Sequence, residues 1–104
     1  MTMFDERERA YEARFAHDAE MRFRVEARRN RLLGLWAAGL LGRTGDAADA
    51  YAREVVRADF HEAGEAEVLR KLEADLGARA DAAAIRAKMA ELGARARAEL
   101  DAEG

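Results

Sequence analysis

The stretch that decides the fold is Arg31-Leu32-Leu33-Gly34-Leu35-Trp36-Ala37-Ala38-Gly39-Leu40-Leu41-Gly42-Arg43-Thr44-Gly45-Asp46. Residues 32–41 are the longest apolar run in the chain, and they fall far short of the ~20 residues that a membrane-spanning helix needs. At 100° per residue, Leu32, Leu33, Trp36 and Leu40 share one broad face, as in a helix that packs against others. The run ends at Gly42, a residue suited to a helix C-terminal cap, and Thr44 or Asp46 can cap the next helix. A packed helix followed by a tight break predicts a small helical domain built around residues 32–41.

Upstream of this stretch the same helix extends back to about residue 5. Thr2 with Asp5 three residues on forms a weak capping box, and acids fill the first turn. The pairs Asp5–Arg9, Asp18–Arg22 and Glu20–Arg24 have the favourable acid-first i,i+4 order, each contributing roughly 0.2–0.5 kcal/mol. Phe4, Tyr11, Phe15 and Val25 continue the apolar face, but Asp18, Arg22 and Arg29 fall within it. Core helices rarely carry charges in mid-stripe. The stripe therefore divides into an N-terminal patch, Phe4–Tyr11–Phe15, and the patch centred on Trp36. The N-terminal third is expected to project from the domain while the last third packs inside it. Pattern alone leaves two readings of the three aromatics: anchors for another protein's groove, or a stripe that folds back on the later helices.

Downstream, helix 2 is expected over residues 47–62, with Tyr51, Val55, Ala58 and Phe60 inward, ending at Gly64. Helix 3 covers residues 65–76, with Val68, Leu69, Leu72 and Leu76 inward, and Gly77 ends it. Asp81 caps helix 4, which carries Ile85, Met89, Leu92, Ala96 and Leu100 at helical spacing. Gly93 inside it costs about 1 kcal/mol relative to Ala.

Composition agrees. The chain of 104 residues is enough for one small domain. It lacks Pro, Cys, Ser and Gln, and Ala supplies 26 residues of the hydrophobic half. Ala, Arg, Glu and Leu dominate, all strong helix formers. The fold class is all-α: a small four-helix bundle with a long N-terminal helix whose first third is free or disordered. Net charge is −3, with a pI near 5.5, which argues against nonspecific nucleic-acid binding by the whole chain. The absence of Cys excludes disulfide and thiol chemistry. The charged N-terminus does not read as a secretory signal, so a cytoplasmic protein is expected.

Catalytic motifs are missing. Gly34 and Gly39 have the spacing of a phosphate loop, but Leu40 and Leu41 stand where Lys and Ser/Thr are required. His61-Glu62 begins like a zincin motif, but Glu65 replaces its second histidine. The remaining histidine, His17, is read as solvated or partly packed. No metal site, catalytic residue or cofactor motif emerges, and an enzyme is the least supported class. Arg22, Arg24, Arg28, Arg29 and Arg31 form a basic run opposed only by Glu26. A solvated helix face is its plainest reading; RNA, an anionic surface or an acidic protein partner are the functional ones. Trp36 reads as a packing anchor.

Four strings resemble one family: Phe4-Asp5-Glu6-Arg7-Glu8; Glu12-Ala13-Arg14-Phe15-Ala16-His17-Asp18; residues 27–38 from Ala27-Arg28-Arg29-Asn30 to Trp36-Ala37-Ala38; and residues 50–60 around Tyr51-Ala52-Arg53-Glu54-Val55. The family is the zeta subunit of the alphaproteobacterial F-type ATP synthase. The likeness spans essentially the whole chain and is weakest after Gly77. It implies a four-helix fold with an inhibitory N-terminus. In the family that segment enters the catalytic head between a catalytic and a noncatalytic subunit, reaches the central stalk, and blocks ATP hydrolysis while permitting synthesis. Carried onto this chain, residues 1–23 form the inhibitory segment and residues 24–104 the bundle. Phe4, Tyr11 and Phe15 would be anchors, with Asp5, Glu6, Arg7, Glu8, Arg9, Glu12 and Arg14 pairing with charges in the cleft. The implied partner is that catalytic head, reached from the cytoplasmic side of the inner membrane, with no transmembrane segment. The resemblance also raises an adenine nucleotide as a ligand, though no motif here cradles phosphate.

Overall fold

The computed structural model describes residues 3–59 and 64–104, with side chains from His17 onward. Four helices follow one another: α1 (Met3–Leu40), α2 (Gly45–Ala58), α3 (Glu65–Leu76) and α4 (Ala82–Glu103), with a 3-10 turn (Gly77–Arg79) between the last two. Among the described residues there is no strand, so the all-α bundle expected from composition is the observed fold.

The break at residues 42–46 forms as its sequence dictates. Gly42 adopts a φ of 74°. Its N–H donates to the Gly39 carbonyl at 3.1 Å, and the Arg43 N–H donates to Ala38 at 2.9 Å. This is a Schellman cap, in which a left-handed glycine satisfies the last carbonyls of a helix. Thr44 occupies the N-cap position of α2 in extended backbone, but its side chain makes no capping bond. Asp81 does cap α4: the Ala84 N–H donates to its Oδ1 at 2.8 Å. Helix 2 is shorter than the sequence reading. It starts at Gly45 and ends at Ala58, with Asp59 as its C-cap. Gly64, expected to end it, instead stands at the N-cap of α3 with a φ of 48°. Phe60, His61 and Glu62, placed in helix 2 by pattern, lie outside the described residues.

The core is built from Leu33, Ala37 and Ala38 of α1, Tyr51 and Val55 of α2, Val68, Leu72 and Leu76 of α3, and Ile85, Met89 and Leu92 of α4. The inward positions read for helices 2 to 4 are thus largely correct, with Leu69 and Ala58 only partly buried. Ala96 and Leu100 extend the buried face of α4 toward its C-terminus.

The packing face of α1 differs from the sequence reading. Asn30, Leu33, Gly34, Ala37 and Ala38 are buried, whereas Trp36 and Leu32 are half-buried and Leu40 is 40% exposed. The buried arc is rotated roughly 100°, about one residue, from the face that carries the largest side chains. Small residues set it. A Cβ on Gly34 would lie 2.6 Å from the Ala52 Cα, so α1 and α2 cross nearly backbone to backbone. Trp36 serves as an edge of the core instead of its centre, with the Lys88 ammonium 5.8 Å from its ring.

Helices α1 and α4 run antiparallel. Lys88 meets Trp36, Arg29 lies against Gly93, and Arg28 reaches Glu103. The last turn of α4 therefore sits beside residues 24–28 of α1. The groove lined by Asp18, Met21, Val25 and Arg97 marks where α1 leaves the bundle. Residues 3–17, about 22 Å of helix at 1.5 Å per residue, run beyond it.

Candidate protein-docking surfaces

The ten residues singled out from the sequence as partner-binding (Phe4, Asp5, Glu6, Arg7, Glu8, Arg9, Tyr11, Glu12, Arg14 and Phe15) all fall on the first three to four turns of α1. Their side chains lie outside the described residues, as does the Asp5–Arg9 pair. What the fold supplies is their backbone: one helix, unbroken from Met3 to Leu40, with no interruption at the expected boundary near residue 23. His17 to Glu20 are exposed, and Glu20 accepts from the Arg24 guanidinium at 2.8 Å. Asp18–Arg22, the other described pair read from the sequence, is not formed.

The basic run of α1 is not one solvated face. Arg28 Nη1 and Nη2 donate to the two carboxylate oxygens of Glu103 at 2.7 and 3.0 Å, and Glu99 lies 3.6 Å away. The hydrogen bond from Arg28 holds the Glu103 carboxyl below the usual carboxylate range, and the same bond raises Arg28. Arg29 lays its stem against Gly93, with its Cδ 3.6 Å from where a Cβ would stand, and its Nε donates to Asn30 Oδ1 at 3.1 Å. Arg28 and Arg29 thus bind α4, and only Arg22, Arg24 and Arg31 remain exposed.

Two neighbouring grooves flank this helix. The larger, about 790 Å³, runs between α1, α2 and α4 and is bordered by Phe23, Arg28, Arg31, Leu32, Val56, Leu100 and Glu103. The smaller, about 340 Å³, is lined by Arg31, Asp49, Ala52, Arg53, Val56 and Arg57. Arg31 and Val56 belong to both. Sequence reasoning stopped at Arg31 and did not join Arg53 and Arg57 to it. The available signal was the like-charged i,i+4 pair Arg53–Arg57, unfavourable on an isolated helix.

Two features went unread in the sequence. Asn30 is fully buried; its Nδ2 has no hydrogen-bond partner. The Tyr51 hydroxyl donates to Asp75 Oδ2 at 2.7 Å, and Lys71 Nζ donates to the same oxygen at 3.0 Å. Arg43 and Lys71 each lie 5.1 Å from the Tyr51 ring centroid. Burial, and then the bond to Asp75, push the Tyr51 hydroxyl well above its usual pKa. Burial alone would raise the Asp75 carboxyl, but the bonds from Tyr51 and Lys71, with the nearby positive charges, outweigh it and hold Asp75 low.

The described residues hold no group of three or more carboxylates or imidazoles that could bind a metal, and no helix long and apolar enough to cross a membrane. An adenine nucleotide needs a phosphate cradle and a platform for its base. In the larger groove Glu99 and Glu103 stand beside Arg28, where a polyphosphate would have to sit. The smaller groove has three arginines but no aromatic ring.

Known proteins agree with this architecture. The chain is similar to one of known solution NMR structure at 52% identity and a TM-score of 0.74, covering 81% of this chain and 99% of that one. No curated protein sequence matches it. The family model described as ATPase inhibitor subunit zeta matches residues 1–99. With that match over nearly its whole length, the chain belongs to the ATPase inhibitor subunit zeta family.

Proposed function

We propose that this chain inhibits ATP hydrolysis by an F-type ATP synthase, using the N-terminal part of α1 as a wedge in the catalytic head. The observation that carries the reading is the length of α1. A helix rooted in the bundle core at Leu33–Ala38 continues about 22 Å past the bundle's edge, a form suited to entering a cleft. Family membership supplies the target.

In this reading the helix from about residue 2 to 19 enters between a catalytic and a noncatalytic subunit and reaches the central stalk. Phe4, Tyr11 and Phe15 bury apolar area there, and Asp5, Glu6, Arg7, Glu8, Arg9, Glu12 and Arg14 pair with charges lining the cleft. The action is mechanical. A rigid element holds apart two surfaces that must close in the rotary cycle, so hydrolysis stops at one conformational step. It needs no catalytic group from this chain and no cofactor. The bundle, residues 24–104, stays outside the cleft and raises the local concentration of the wedge. Bound in this way, the protein sits peripherally on the cytoplasmic side of the inner membrane.

The test is ATP hydrolysis by the cognate catalytic head with the full chain added, against a chain lacking residues 1–18. Inhibition by the first and not the second supports the wedge. Equal inhibition by both would move the brake into the bundle and sink the reading.

A further inference from the structure

The crossing of α1 and α2 at Gly34 and Ala52 brings Arg31 beside Arg53 and Arg57 around one groove. All three side chains are exposed. Among the described residues none of the three has an ion pair, whereas Arg28, which borders the adjoining groove, is paired with Glu103. This occurs in a chain whose acids outnumber its bases, 21 to 18. Three guanidinium groups left together repel one another, and Arg53 and Arg57 do so within one helix turn. The fold therefore maintains a local positive potential on an otherwise acidic molecule.

We propose that this groove is a second docking surface, which takes an acidic amphipathic helix on the exterior of the ATP synthase catalytic head. The proposal rests on the reading of the chain as an inhibitor of that enzyme. The groove floor favours a protein segment over other anions. The floor is apolar, formed by Ala52 and Val56 and continuing through Val56 to Leu32 and Leu100 in the larger groove, which suits the apolar side of a helix. The three guanidinium forks present planar donors matched to carboxylates. Arg31 is also the link between grooves, so an occupant two to three turns long would lie along the α1–α2 seam. The docked bundle then holds the N-terminal helix at the mouth of the cleft, and affinity and inhibition become separable properties of one chain.

The experiment uses the full chain with Arg31→Glu, Arg53→Glu and Arg57→Glu combined, and a milder Arg53→Ala/Arg57→Ala variant whose exposed positions leave the core untouched. Circular dichroism confirms folding. Affinity for the purified catalytic head and the inhibition at saturation are both recorded at low and physiological salt. The expected result is affinity weakened about tenfold or more by the triple reversal, less by the double alanine, with a flatter salt dependence and unchanged inhibition at saturation. Wild-type affinity in both variants would overturn the proposal. Weakened binding to the head where even the wild type does not inhibit would keep the groove and reject the wedge. No binding of the wild-type chain to the head would reject both. Parallel titrations with ATP, polyuridylate and anionic vesicles identify a different occupant: loss of one of these in the triple variant, with head affinity intact, overturns the proposal.

Discussion

The Tyr51 hydroxyl and the Asp75 carboxylate meet at 2.7 Å across the α2–α3 packing, at the only point where a buried aromatic ring of the described core carries a polar tip. The ring fills the core and the hydroxyl reaches its edge, where Lys71 completes the bonding of Asp75. Replacing Tyr51 with Phe keeps the packing and removes one bond to a charged acceptor. The expected loss is about 1–2 kcal/mol of unfolding free energy, read from urea titrations. A change near zero would mean that Lys71 alone satisfies Asp75.

The same pair gives a pH dependence. Asp75 is held low in the folded protein, so its contribution is present above the ordinary carboxylate range and is lost as pH falls through the folded value. Stability should decline below about pH 4, and Asp75→Asn should flatten that decline. Tyr51 has the opposite sign. Its raised folded pKa means a contribution present below about pH 10 and lost above it. Unfolding midpoints from pH 2 to 11 for the wild type and the two variants check both limbs.

Gly34 and Gly93 are both glycines in helix interiors, and they should respond oppositely to alanine. At Gly34 the new Cβ would sit 2.6 Å from the Ala52 Cα, so α1 and α2 must separate, at a cost of about 2 kcal/mol. At Gly93 the nearest atom is the Arg29 Cδ at 3.6 Å, an ordinary contact, so alanine gains about 1 kcal/mol of helix propensity. Thermal unfolding of the two variants side by side tests the assignment of the crossing.

Asn30 is fully buried with its Nδ2 unpartnered, while Oδ1 accepts from Arg29. Asn30→Leu should stabilise the bundle by about 1 kcal/mol, since it removes an unsatisfied donor and keeps the branched shape of the side chain. Destabilisation would show that the Arg29 bond outweighs the stranded donor.

These positions also show what can be read from a sequence of this kind. Helix order, the Gly42 cap, the Asp81 cap and the inward residues of α3 and α4 follow from local pattern, because caps and periodicity are local physics. The packing face of α1 did not follow. A helical wheel weighted by large side chains points to Trp36 and Leu40, whereas the closest helix crossing is made by what is small, Gly34 and Ala37–Ala38. The pairing of Arg28 with Glu103, 75 positions apart, was equally out of reach, since nothing local distinguishes a paired arginine from a solvated one. The ten N-terminal partner residues came from family resemblance and aromatic spacing. The convergence of Arg31, Arg53 and Arg57 needed the angle at which α1 crosses α2.

The continuity of α1 has a further thermodynamic meaning. Starting a helix is costly because several residues must be fixed for the first hydrogen bond, while lengthening one costs little per residue. Residues 3–20 never have to start one. Their helix grows from an end already held by Leu33, Ala37 and the Arg28–Glu103 clamp, so the bundle acts as a template that has met the nucleation cost in advance. A short peptide of the same sequence would bear that cost itself at each encounter. On this account the folded domain's contribution to a wedge is a matter of entropy as much as of contact.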